Sequence, residues 1–262
     1  VAAGMYIILG ITNWMLLPKG CGDEPCESVP FQSYMKIFKN KVFIIFSLVS
    51  IFVWALYTQL SLSLPLRAED ILPNPGIVSL VWTINSVIVI VLQTPISRWF
   101  VEKIHPMNAL ALGILFMGGG LGSLYWSTSF YWLMLSGAIF IVGEMLVVPT
   151  MDATVSRLGT ARLIGIFFGI TNFISGIGEG VGKYTGSQLL SLGTASSIPW
   201  LTFAVAAIVI SGVLAALKFW KPLQLALDME KIGKIKMETG ETETQKYSSF
   251  FNWFLGRKKR VK

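Results

Sequence analysis

Long apolar runs alternate with short polar breaks along this chain. A helix needs about 20 apolar residues to cross the hydrocarbon core of a bilayer, and the charged and Gly/Pro breaks delimit about seven runs of that kind. They cover residues 1–17, 41–64, 77–97, 107–126, 130–150, 163–190 and 199–217, with Pro65 reading as the stop of the second. Residues 18–40 form a polar loop between the first two runs, and 218–262 form a polar, basic tail. The pattern predicts an all-α polytopic membrane protein. The chain opens at Val1, inside an apolar run, so it reads as a piece of a longer polypeptide with no recognisable signal peptide.

Composition supports the membrane assignment. Of 262 residues, 53% are hydrophobic and 13% charged, whereas a soluble domain carries about 25% charged residues. The 17 Phe, 9 Trp and 10 Met exclude a disordered chain. A net charge of +7 would suggest nucleic acid in a soluble protein, but here the basic residues lie between apolar runs, where they set topology. Two cysteines and one histidine leave no material for a disulfide framework or a multi-histidine metal site. Cys21 and Cys26 therefore read as parts of an ordinary linker, and His105 as an interfacial residue.

Lys and Arg favour the cytoplasmic side of a membrane protein. Lys19, Lys36, Lys39 and Lys41 follow the first run, Arg98 and Lys103 the third, Arg157 and Arg162 the fifth, and a dense set the seventh. Arg67 alone falls on the opposite side. This alternation predicts that the 18–40 loop and the tail are cytoplasmic.

Ionisable groups inside a span cost several kcal/mol unless paired, hydrated or neutralised, so each needs a reason to be there. Glu144 lies six residues before Thr150, about 9 Å from the cytoplasmic end of its span. It reads as a gating or proton-carrying carboxylate, with Arg98 as a partner in one state, or as half of a static pair. Glu179 and Lys183 have the i,i+4 spacing, acid first, that favours a self-neutralising pair. The alternative makes Glu179 a substrate or proton site tuned by Lys183. The same span carries Gly165, Gly169, Gly176, Gly178, Gly180, Gly182 and Gly186, a small-residue series suited to close helix packing and to sliding between helices. Neutral polar residues inside spans are Tyr57, Gln59, Asn85, Gln93 and Asn172. Each would bond either a substrate or a neighbouring helix.

Several local patterns resemble the second half of a major facilitator superfamily (MFS) transporter. The stretch Pro95-Ile-Ser-Arg-Trp-Phe-Val-Glu-Lys103 is similar to the C-half copy of the family's loop signature, with Arg98, Glu102 and Lys103 at its charged positions, although the usual glycine is absent. Gly143-Glu-Met-Leu-Val-Val-Pro149 resembles the tenth helix, and residues 157–169 resemble the loop entering the eleventh. Tyr57-Thr-Gln59 with Leu64-Pro65-Leu66 resembles the seventh helix of drug and proton antiporters. The resemblance spans residues 1–217 and implies that the runs correspond to helices six to twelve. Residues 1–17 would then be the last helix of an N-terminal half, 18–40 the central loop, and 41–217 the C-terminal six-helix bundle.

On that resemblance, two halves rock about a central cavity in alternating access, and the N-terminal half would supply the rest of the site. It ranks Tyr57 and Gln59 first among cavity residues, with Glu144, Arg98, Glu102, Lys103, Glu179 and Lys183 in gating or coupling. Trp54, Trp82 and Phe140 would contact an apolar substrate, lipid or the core. The implied activity is secondary transport without a cofactor, as proton-coupled efflux of a small amphipathic or drug-like molecule in the plasma or inner membrane. Proton-coupled uptake of a polar solute is the alternative within that class, and a non-transporting scaffold or sensor the alternative outside it. An enzyme would need catalytic groups converging at one depth, and the charged residues are scattered over both leaflets. Expected partners are membrane lipids, substrate, protons and the N-terminal half, with no nucleic acid. In the tail, Phe250, Phe251, Trp253 and Phe254 precede Arg257, Lys258, Lys259 and Arg260, a combination that predicts an anchor on an anionic leaflet.

Overall fold

The computed structural model describes residues 2–16, 37–72, 74, 77–101, 103–159 and 163–227. Every regular element among them is a helix. The chain divides into two compact units, 1–39 and 40–262. In the first, α1 (Ala2–Leu16) is a 15-residue helix, apolar except at Thr12 and Asn13 and the Tyr6 hydroxyl. In the second, six helical stretches are long and apolar enough to cross a membrane, so the chain is an all-α integral membrane protein.

The first of the six is a 31-residue stretch, Lys41–Ile71, made of α2 (Lys41–Tyr57) and α3 (Gln59–Ile71). Asn40 caps it, its side chain accepting the Val42 and Phe43 N–H groups. The ladder is interrupted at Thr58, and α3 then runs through Pro65. Proline was expected to end this helix, because it lacks an N–H and crowds the preceding turn. Packing overrides it: Leu64 and Ala68, on either side, are fully buried.

α4 (Val78–Ile96) also contains a proline, Pro95, and continues into a π-helical turn at Ser97–Val101. α5 (Pro106–Ser123) is capped by His105, whose Nδ1 accepts the Met107 N–H at 3.2 Å. α6 (Phe130–Leu158) has 29 residues and runs two turns beyond the expected limit at Thr150, with Thr154, Val155 and Leu158 buried. α7 (Ile164–Leu190) and α8 (Ser197–Leu217) complete the bundle. A further helical turn at 221–227 buries Leu223 and Leu227 and is held by Gln224 Nε2 donating to the Lys218 carbonyl at 2.7 Å. Leu225, on the opposite side, is exposed.

Glycine fixes how closely the helices approach. A Cβ on Gly113 of α5 would sit 2.9 Å from the Gly143 carbonyl of α6, and one on Gly120 would sit 2.8 Å from that of Ser136. Gly118 of α5 faces Ala207 of α8 with no room for a side chain, and Ser211 of α8 donates to the Ala111 carbonyl at 3.0 Å. α5 is therefore the core helix, with 61% of its span buried, whereas α4 and α7 bury 11% and 17% of theirs.

One end of the bundle is closed by Arg67 of α3. Its guanidinium donates to the carbonyls of Leu124 (3.2 Å), Tyr125 (3.0 Å), Ser127 (3.0 Å) and Thr194 (3.3 Å). The segment after α5 is pinned further by Ser123 and Ser127, whose hydroxyls both meet that of Ser136 on α6. Trp200 of α8 donates to the Thr194 carbonyl at 3.0 Å.

Candidate functional site

Tyr57, the last residue of α2, donates its hydroxyl to Glu144 Oε1 at 3.0 Å. This bond joins α2 to α6 across 87 residues of sequence. Trp54 stands edge-on to Tyr57, with ring centroids 5.0 Å apart, and Phe140 lies 6.4 Å away on the other side. The spacing explains the cluster: Trp54 and Tyr57 are i,i+3 on α2, and Phe140 and Glu144 are i,i+4 on α6, so each pair shares a helical face. The close contact of Gly143 with Gly113 and Met117 fixes the rotation of α6. It leaves the next residue, Glu144, about 100° round the helix from that contact. On α7, Glu179 follows Gly178, which packs against Trp54. Two helices, α2 and α6, thus bring one carboxylate and three aromatic rings together, with the Tyr57 phenol at the centre.

Glu179 and Lys183 pair at 3.7 Å, as their spacing predicts, and both side chains are exposed. Where water reaches it, such a pair contributes about 0–1 kcal/mol. Lys183→Met is therefore expected to leave the unfolding midpoint in detergent almost unchanged while removing the charge that balances Glu179. A fall of many degrees would mean instead that the pair holds α7 in place.

Glu144, read from the sequence with Arg98 as a partner in one state or as half of a static pair, is bonded here to Tyr57, and Arg98 is exposed on the π-helical turn. Lys103 is exposed beyond that turn, and Glu102 lies outside the described residues. Gln59 and Asn85, both expected at the cavity, are packed inside at 3% and 2% exposure. The amide of Asn85 has neither atom hydrogen-bonded and rests against Gly137. Gln93 bonds locally to the Ser97 hydroxyl at 3.4 Å, and Asn172 is exposed.

The glycines of α7 separate into two faces. Gly178, Gly182 and Gly186 press on Ile51, Ala55 and Gln59 of α2–α3, with no room for a Cβ. Gly165, Gly169, Gly176 and Gly180 have open space beside them. The aromatic and basic tail residues Phe250, Phe251, Trp253, Phe254, Arg257, Lys258, Lys259 and Arg260 lie outside the described residues, as do Cys21 and Cys26. Sequence reasoning missed the structural role of Arg67, treating it only as a topological mark. It placed Tyr57 and Gln59 first at the cavity and Glu144 in gating, without pairing Tyr57 with Glu144.

No family model matches the chain. It is 25% identical over 220 residues to the multidrug resistance protein MdtH of Edwardsiella ictaluri, an alignment covering 84% of this chain and 54% of that protein. To the protein of the same name from Cronobacter sakazakii it is 24% identical over 223 residues, with 84% and 54% covered. To that from Salmonella paratyphi B it is 23% identical over 205 residues, with 77% and 50% covered. The chain spans about half the length of these curated relatives. These matches bear out the resemblance to the drug-efflux branch of the major facilitator superfamily read from the sequence.

Proposed function

We propose that this chain, similar over most of its length to about half of multidrug resistance proteins, is the C-terminal half of a proton-coupled drug exporter working by alternating access. The observation that carries the reading is the Tyr57–Glu144 hydrogen bond, set among Trp54 and Phe140. A carboxylate inside a span is retained where it carries or gates charge. One held by a single phenol can exchange that partner for a proton or for a substrate cation. The half-buried rings of Trp54 and Tyr57 beside it, backed by the buried Phe140, suit a planar, positively charged, amphipathic molecule, which they attract by cation–π contact.

Several features support the rest of the assembly. The weakly buried helices α4 and α7, with the open glycines of α7, suit close packing against an N-terminal half that would complete the cavity. Lys and Arg favour a topology with the 18–40 loop and the tail in the cytoplasm of a cell that places the protein in its plasma or inner membrane. The basic, aromatic tail suits an anchor on the anionic inner leaflet.

The test is proton flux in proteoliposomes containing the full polypeptide. Adding a planar aromatic cation is expected to drive proton movement opposite to the substrate, and a neutral sugar to drive none. Absence of substrate-dependent proton flux for any organic cation tried would remove the exporter reading in favour of a non-transporting scaffold.

A further inference from the structure

The interruption between α2 and α3 places Tyr57 and Gln59 on either side of Thr58. Two residues apart on a helix, they point about 200° from one another, Tyr57 to α6 and Gln59 to α7. Gln59 is 3% exposed, and its amide nitrogen spends both hydrogens on carbonyls. One bond goes to Ala55 on its own helix at 2.7 Å, across the interruption, and the other to Gly182 on α7 at 2.8 Å. Its Oε1 has no hydrogen-bond partner and lies against Gly186, where only a glycine leaves room for it.

The surrounding contacts make this a coupling and not a local cap. The row Gly178, Gly182 and Gly186 follows α2 downward, touching Trp54 first, then Ala55 and Thr58, then Gln59. The α7 backbone thus runs along the segment that carries Trp54 and Tyr57, two of the three aromatic residues of the candidate site. A displacement of α7 along its axis moves the Gly182 carbonyl, and Gln59 transfers that motion to the interrupted segment. A continuous helix would resist such a rotation with its full ladder, whereas one interrupted at Thr58 gives way there.

We propose that Gln59 is a positioning residue that ties α7 to the Tyr57–Glu144 bond, so that movement of α7 makes or breaks that bond. The inference rests on the transport reading only for what the coupling serves, and its test includes a readout that does not depend on transport.

That readout is the infrared band of the Tyr57 phenol in the purified full polypeptide, isolated by subtracting the spectrum of Tyr57→Phe. Gln59→Met keeps the length and removes both donors, and it is expected to move the band to that of a tyrosine without a carboxylate partner. Where transport is measured, Gln59→Met is expected to displace its pH profile as Tyr57→Phe does, and the double variant no further. The coupling from that double-variant cycle should then be about as large as the effect of Tyr57→Phe alone. Gln59→Asn keeps the amide but is a methylene too short for Gly182, and it serves if Gln59→Met does not fold; a partial band shift is expected. An unmoved phenol band in a folded Gln59 variant would overturn the proposal, whether or not the protein transports. A moved band in the Gln59 variant of a parent that itself shows no flux would leave the coupling standing and remove the transport reading.

Discussion

Replacing Glu144 with Gln is expected to reduce coupled flux at least about tenfold, equivalent to about 1.4 kcal/mol, and to flatten the pH dependence of what remains. The substitution is nearly isosteric. The amide that replaces the carboxylate still presents an oxygen to the Tyr57 hydroxyl, so α2 and α6 stay joined, but a hydrogen bond to a neutral acceptor is roughly half as strong as one to a carboxylate. What disappears is the charge and its exchangeable proton. Tyr57→Phe makes the complementary change: it keeps the carboxylate and removes its partner at 3.0 Å. It is therefore expected to move the pH profile and lower flux less than Glu144→Gln does. Both variants should insert and unfold at close to the parental temperature, which detergent melts would check. Normal transport by Glu144→Gln across the pH range would reduce Glu144 to a structural acceptor and remove proton coupling at this site.

The spans were legible because lipid imposes one rule, that each crossing be long and apolar, and among the described residues six of the seven runs meet it, the exception being the first, the 15-residue α1. Boundaries were less legible, since they depend on what each end packs against. Pro65 looks like a stop, yet Leu64 and Ala68 are buried and the helix passes through. Beyond Thr150, α6 gains two turns because Thr154, Val155 and Leu158 find cover. The glycines of α7 carried more information than their number suggests. At about 100° per residue, Gly178, Gly182 and Gly186 fall on one side of the helix and the other four on the opposite side. A helical wheel separates the two faces, but only the neighbouring helix reveals which one is packed. The pairing of Tyr57 with Glu144 had no local signal. Each residue was conspicuous alone, and their contact across 87 positions is a product of α2 and α6 meeting.

Arg67 shows the same limit most plainly and carries the largest expected effect on stability. Carbonyl partners leave no trace in a sequence, so a single arginine beyond an apolar run reads as a topological charge. In the structure it gathers four carbonyls from two connections, those following α5 and α7, onto α3. Hydrogen bonds from a charged group contribute about 1.5–3 kcal/mol each, but neighbouring ones do not add, and this end of the bundle is partly exposed to water. Arg67→Ala is therefore expected to destabilise the protein by about 2–4 kcal/mol, a fall of roughly 5–15 °C in the unfolding midpoint for a domain of this size. Arg67→Lys keeps the charge, but a single ammonium cannot reach carbonyls on separate segments as a planar five-donor fork does, so about half of the loss is expected to remain. Thermal unfolding in detergent orders the three proteins, with the parent highest and Arg67→Ala lowest. If Arg67→Lys melted with the parent, charge alone would account for the residue and the fork geometry would carry no weight. If Arg67→Ala did so as well, the two connections would be held by Ser136 and Trp200 without it.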